Sequence, residues 1–114
     1  MLTQSSRRRS VFTNDADPIH NYYEHLVLAE IFRSSERARN DINFLADVAC
    51  VALNRLPPRY IRHDVDMTFF MSPLELEEIE RKTTTAVADA IRYVEQREAE
   101  KQADNEAPLT KTSE

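Results

Sequence analysis

No glycine occurs anywhere in this chain of 114 residues. Loops that cradle phosphate with backbone N–H groups, of the Walker or dinucleotide-fold kind, need glycine for positive φ angles and close backbone approach. Neither can be built here, so nucleotide hydrolysis or nicotinamide chemistry on those scaffolds is excluded and any phosphate binding falls to side chains. Tight glycine turns are missing too, which favours helices with proline- or polar-terminated ends over an all-β domain. The single cysteine, Cys50, allows no disulfide framework and no cysteine-based zinc site, and fits a reducing compartment. Its position beside the apolar face of a helix reads as a small, semi-buried thiol. No apolar run is long enough to span a bilayer, and the arginines near the start precede no hydrophobic signal region, so the expectation is a cytoplasmic protein without membrane insertion. A net charge of -5 argues against non-specific, direct nucleic-acid binding by the whole domain.

What is present organises into three stretches. Residues 1–15 read as a flexible basic arm with Arg7, Arg8 and Arg9, residues 16–96 as a single helical domain, and residues 97–114 as a disordered charged tail. Asp17 and Pro18 mark a first helix as N-cap and first helical residue, with Ile19, Tyr23, Leu26, Val27 and Ile31 on its apolar face. It fades near Arg33, and Glu36 to Asn40 read as a charged connection or a bent continuation. Ile42, Leu45, Val48, Ala49, Ala52, Leu53 and Leu56 give the clearest helical seam, capped by Asn40 or Asp41 and stopped by Pro57 and Pro58. Val65, Met67 and Phe69 alternate with Asp64, Asp66 and Thr68, which favours a short strand within Tyr60 to Met71. A lone strand needs a partner, and a second subunit is one way to provide it. Ser72-Pro73-Leu74-Glu75 carries a capping box and opens a long helix with Leu76, Ile79, Thr83, Ala86, Val87, Ala90 and Val94 along its seam. The expected fold is mainly α: three to four helices in a small domain, with a short extended strand after the Leu-Pro-Pro corner. Association into a homodimer would offset the limited core of so short a chain.

Candidate chemistry is sparse. His20 and His25 are five apart, a poor match for two ligands on one helix face, so solvated or capping histidines explain them better than a metal site. No serine can sit in a glycine elbow. Glu75, Glu77, Glu78 and Glu80 read as the solvated first turns of a helix, where negative charge suits the dipole. The chain is therefore expected not to be an enzyme. Asn21 and Glu24 share a helix face at i, i+3 and would hydrogen-bond a neighbouring loop, buttress the proline corner or meet a ligand there. The corner itself, with Asn54, Leu56, Pro57 and Pro58, carries Arg55, Arg59, Tyr60 and Arg62, followed by Asp64 and Asp66. Arginine forks bind phosphate or the O6/N7 edge of guanine, a carboxylate accepts from the guanine N1 and N2 donors, and tyrosine stacks on a base. Those ingredients suit a guanine nucleotide; a structural corner with solvated arginines accounts for them equally.

The segment from Asp47 to Tyr60, with Ala52-Leu53-Asn54-x-Leu56-Pro57-Pro58-x-Tyr60 at its centre, resembles the late-competence ComFB family, and Asn21-x-x-Glu24-x-x-Val27 is similar to that family's first-helix signature. The likeness covers about residues 18–95. It implies a small helical domain that forms homodimers. Some members bind zinc through a cysteine cluster before the second helix; Asn40 to Ala46 hold no cysteine here, so no metal function carries over. Other members resemble receptors for cyclic dinucleotides, chiefly cyclic di-GMP, linked to competence, pili, motility or cell size, and the cysteine-poor form of this chain is more similar to those.

The resulting expectation is a homodimeric, non-enzymatic cyclic di-GMP receptor with an unidentified downstream protein partner, no cofactor, and cyclic di-AMP as a second possible ligand. Arg55, Arg59 and Arg62 would hold phosphates or guanine edges, Tyr60 would stack, Asp64 or Asp66 would read the guanine edge, and Arg7, Arg8 and Arg9 would close over the ligand. Asn21, Glu24, Asn54, Leu56, Pro57 and Pro58 would build the corner. The alternative is a protein–protein interaction module whose corner is purely structural, with an enzyme acting on cyclic dinucleotides behind it.

Overall fold

The structure is a computed structural model, and it describes residues 19–106. The expected first cap at Asp17 and Pro18 and the arm residues Arg7, Arg8 and Arg9 lie outside them. The chain is mainly helical, as its composition requires: β1 (His20–Asn21), α1 (Tyr23–Ser34), α2 (Glu36–Asn40), α3 (Ile42–Arg55), β2 (Tyr60–Ile61), α4 (Asp64–Phe70) and α5 (Pro73–Asn105). No described residue has a positive φ. Helices therefore end on extended residues instead of left-handed caps: Ser35, Asp41, Leu56 and Met71 all lie in the β region. Leu56, at φ -105° and ψ 136°, is held there by the proline that follows, which disfavours helical geometry in its predecessor.

Helices α1, α3 and α5 pack on one another around a common core, with the most extensive contact between α3 and α5. Tyr23, Val27 and Ile31 come from α1, Phe44, Val48, Ala49 and Ala52 from α3, and Ile79, Ala86, Val87, Ala90 and Val94 from α5. The small residues at Ala52, Ala86 and Ala90 are among those that fill the core between the two longest helices. Thr83 is buried in the same seam, its hydroxyl donating to the Ile79 carbonyl at 2.8 Å. The Ser72 cap forms as read: its side chain accepts from the Glu75 N–H, and Glu75 returns a bond to the Ser72 N–H at 2.9 Å. Asp41 caps α3 by accepting from the N–H groups of Asn43 and Phe44.

Several expectations are corrected. Helix α1 begins at Tyr23, because His20 and Asn21 are extended and pair antiparallel with Ile61 and Tyr60; Ile19 is 74% exposed and belongs to no helical face. That intrachain pairing supplies the strand partner anticipated from a second subunit. The strand itself is only Tyr60–Ile61, and the alternating stretch beyond it is α4, where Met67 and the following Met71, four apart, both turn inward. Glu36 to Asn40 fold as the short helix α2, capped by the Ser35 hydroxyl accepting from the Ala38 N–H. Ile42 is 72% exposed, and Phe44 takes the buried place beside it, with the Arg37 guanidinium 3.9 Å from its ring centroid. Cys50 is exposed, not semi-buried. Helix α5 runs to Asn105, past the anticipated start of the tail at 97, and Arg37 grips Glu98 there through two nitrogens at 2.9 Å each.

Candidate functional site

The corner is built by backbone pairing across a long sequence separation. Asn21 is buried, and its Oδ1 accepts from the Arg59 N–H at 3.0 Å and from the Tyr23 N–H at 3.2 Å. The Tyr22 N–H donates to the Arg59 carbonyl at 2.6 Å. Both backbone polar groups of Arg59 are thus fixed to the entry of α1. Leu56 anchors the other end of the corner in the core, while Asn54, Pro57 and Pro58 face outward and Glu24 is exposed in the first turn of α1.

Beneath the prolines lies an open hollow of about 360 Å³ lined by Tyr23, Pro57, Pro58, Arg59, Met71, Leu74, Glu75, Glu78, Ile79 and Lys82. Its walls are apolar, and its charged groups are two cations and two carboxylates. Burial pushes the Tyr23 phenol above the usual tyrosine range; the Arg59 charge opposes that shift and the Glu78 charge adds to it. A hydrogen bond from Arg81 holds the Glu78 carboxyl below the usual carboxylate range, so Glu78 is an anion at neutral pH. A second, notch-like cavity of about 300 Å³ adjoins the hollow, sharing Pro57 and Lys82 with it and adding Arg55, Leu56, Arg81, Thr85, Ala86 and Asp89. Here the Arg55 guanidinium lies 5.4 Å from the centroid of the Tyr93 ring. A third cavity, of about 370 Å³, runs between α1 and α5 from Tyr22 to Arg33.

The residues anticipated as one ligand site divide. Arg59 lines the hollow and Arg55 the notch, whereas Tyr60, Arg62 and Asp66 line none of these three cavities; the Asp64 side chain lies outside what the structure describes. Tyr60 is 66% exposed on β2. Residues the sequence reading passed over take their place: Tyr23 is the aromatic in the hollow, Glu75 and Glu78 are its carboxylates, and Lys82 joins Arg59 as its cation. For Glu75, Glu78 and Lys82 the only sequence signal was the polar stripe at i, i+3 and i, i+7 on α5 beside its apolar seam, which looks the same as a solvated face, and Tyr23 read as part of the apolar face of α1. Chemically, apolar walls suit a planar ring, guanidinium and ammonium groups complement phosphate or a base edge, and carboxylates accept from paired N–H donors.

These features define a small helical domain with side-chain-built polar hollows around a proline corner, and among the described residues no helix is long and apolar enough to cross a membrane. Residues 20–98 match the family model described as late competence development protein ComFB, and the chain belongs to that family. Membership supports a competence-related regulatory role. No curated protein and no solved structure matches the chain.

Proposed function

We propose that the protein is a non-enzymatic, cytoplasmic receptor for a cyclic dinucleotide, cyclic di-GMP first and cyclic di-AMP second, acting as a homodimer on a downstream protein. The observation that carries this reading is the hollow beneath Pro57 and Pro58, where Arg59 from the corner and Glu75, Glu78 and Lys82 from one stripe of α5 line the same space with apolar side chains. A guanine ring entering it would meet Arg59 at O6 and N7 and a glutamate at N1 and N2, which is the donor–acceptor pattern that distinguishes guanine. Isothermal titration with cyclic di-GMP, cyclic di-AMP and GTP tests the reading. Heat with a cyclic dinucleotide, and its loss in Arg59→Ala, is the expected result; no heat with either cyclic dinucleotide at high micromolar concentration rejects it. Mass-spectrometric recovery of intact ligand after incubation checks that the protein does not act on it as an enzyme.

Support for the homodimer comes from α4, whose Phe69 and Phe70 are 77% and 82% exposed. Two copies joined there would cover four such rings, roughly 600–1,000 Å² at the usual burial of an aromatic side chain. That approaches the roughly 1,200 Å² at which specific interfaces begin. The same exposed rings favour a second reading, an interaction module that uses α4 to hold another protein, with the corner purely structural. In that case nucleotide binding is absent in the parent and in Arg59→Ala alike, and Phe69→Ser/Phe70→Ser weakens a pull-down instead.

A further inference from the structure

Helix α5 carries a second polar cluster, which shares Lys82 with the hollow and otherwise lies outside it. One turn beyond Glu78, the chain places Arg81, Lys82 and Thr85 on the side that faces Arg55 and Pro57, and these residues line the notch together with Leu56, Ala86 and Asp89. Three cations meet one carboxylate there, on a chain whose overall charge is -5. Such a local reversal of sign attracts an anion against the mean field of the molecule. Two of the cations are also held in place. Arg55 rests over the Tyr93 ring, and Arg81 is bonded by Glu78, which still leaves most of its five N–H donors unused. The single carboxylate, Asp89, is itself bonded by Arg92, which blunts its repulsion.

We infer that this notch is an anion subsite for a phosphate group, with the Arg55 and Arg81 guanidinium forks and the Lys82 ammonium as ligands and the Thr85 hydroxyl as a further donor. Arginine matches the paired oxygens of a phosphodiester bidentately, and lysine adds a mobile point charge. The notch follows the hollow along α5: Glu78 and Thr85 are separated by about 10 Å of helix rise, on the scale of the reach from a base edge to the phosphate of the same nucleotide. A ligand with its base beside Glu78 would therefore bring its phosphate to Arg81 and Thr85. The identity of that ligand rests on the receptor reading; binding of the anion does not.

The test uses the full chain and inorganic pyrophosphate as the probe, followed by amide chemical shifts, with cyclic di-GMP affinity measured in parallel. Saturable shifts at Arg81, Lys82, Thr85 and Ala86, weakened by added salt and lost in the Arg55→Gln/Arg81→Gln double variant, are expected. The same double variant should bind cyclic di-GMP at least tenfold more weakly. Pyrophosphate shifts confined to the notch with no binding of any cyclic dinucleotide would sustain the subsite and reject the receptor reading. No saturable shift with millimolar pyrophosphate, or shifts that persist in the double variant, would overturn the subsite. Unchanged cyclic di-GMP affinity in the double variant would overturn its use by that ligand while leaving the receptor reading to its own titration.

Discussion

The buried Oδ1 of Asn21 accepts the Arg59 N–H at 3.0 Å, joining the entry of α1 to the exit of the proline corner across 38 residues of sequence. Proline cannot donate, so Arg59 carries the first backbone N–H after Pro57 and Pro58, and Asn21 is what satisfies it. Removing the acceptor strands that donor and the Tyr23 N–H together. Asn21→Ala should therefore cost about 1–3 kcal/mol of stability, and Asn21→Asp, which keeps an oxygen at that position, much less. Urea unfolding of the two variants measures the difference. Equal stability of Asn21→Ala and the parent would mean that the corner holds itself.

Tyr23 links stability to alkaline pH. Its phenol titrates above the ordinary tyrosine value when folded, chiefly through burial, with Arg59 opposing and Glu78 reinforcing the shift. A raised folded pKa means that the neutral phenol is favoured in the native state. Its contribution is complete below the unfolded value near pH 10 and is lost as pH climbs through the folded one. Unfolding midpoints taken from about pH 8 to 11 should fall in the parent and fall less steeply in Tyr23→Phe. Lysines also titrate in that range, but they are common to both proteins, so the difference between the two curves isolates Tyr23.

Local signals were readable in the chain and long-range ones were not. The capping box at Ser72 and Glu75 and the seam from Ile79 to Val94 are decided within one or two turns of sequence, and they stand as read. Residues 65 to 71 satisfy two periods at once. Val65, Met67 and Phe69 alternate as a strand would, yet Met67 and Met71 bury at helical spacing, and the tertiary contact decides between them. The pairing of His20–Asn21 with Tyr60–Ile61 depends on where the helices between them fold back, which no local pattern specifies. The same limit explains the site. Arg59 stood out because it follows two prolines, while Glu78 and Lys82 reach the hollow only because α5 packs beneath the corner.

The Ser72 cap is worth testing because it sets where α5 begins, and Leu74, Glu75 and Glu78 reach the hollow from its first two turns. Ser72→Ala removes the acceptor for the Glu75 N–H and should lower stability by about 1 kcal/mol. Glu75→Gln keeps the reciprocal bond to the Ser72 N–H and should leave stability near the parent value. Thermal or urea unfolding of both variants separates the cap from the charge. A loss in Glu75→Gln as large as in Ser72→Ala would show that the carboxylate, and not the box, holds the turn.

Self-association can be checked at α4. Phe69 and Phe70 are exposed and lie outside the three-helix core, so replacing them removes surface apolar area without opening a cavity. Phe69→Ser/Phe70→Ser should shift the sedimentation profile from dimer to monomer at micromolar concentration while helical content stays at the parent level. An unchanged dimer in the double variant would move the interface away from α4, and a monomeric parent would remove the homodimer altogether.

The proposed receptor role predicts discrimination between guanine and adenine, carried by the two carboxylates in the hollow. Guanine offers N1–H and N2–H donors to a glutamate, whereas adenine presents an unprotonated N1 on the same edge, which a carboxylate repels. Glu78 is the stronger candidate. One Glu75 oxygen already accepts from Ser72, and the Arg81 bond to Glu78 keeps that carboxylate ionised. Hydrogen bonds to a charged acceptor contribute about 1.5–3 kcal/mol, or roughly 10- to 100-fold in affinity. Glu78→Gln should thus weaken cyclic di-GMP by about tenfold or more and leave cyclic di-AMP nearly unchanged, narrowing the ratio between them. Calorimetric titration of both ligands against both proteins reads that ratio directly. If the two affinities fall together, Glu78 supports the hollow without reading the base, and the specificity has to come from Glu75 or from Arg59.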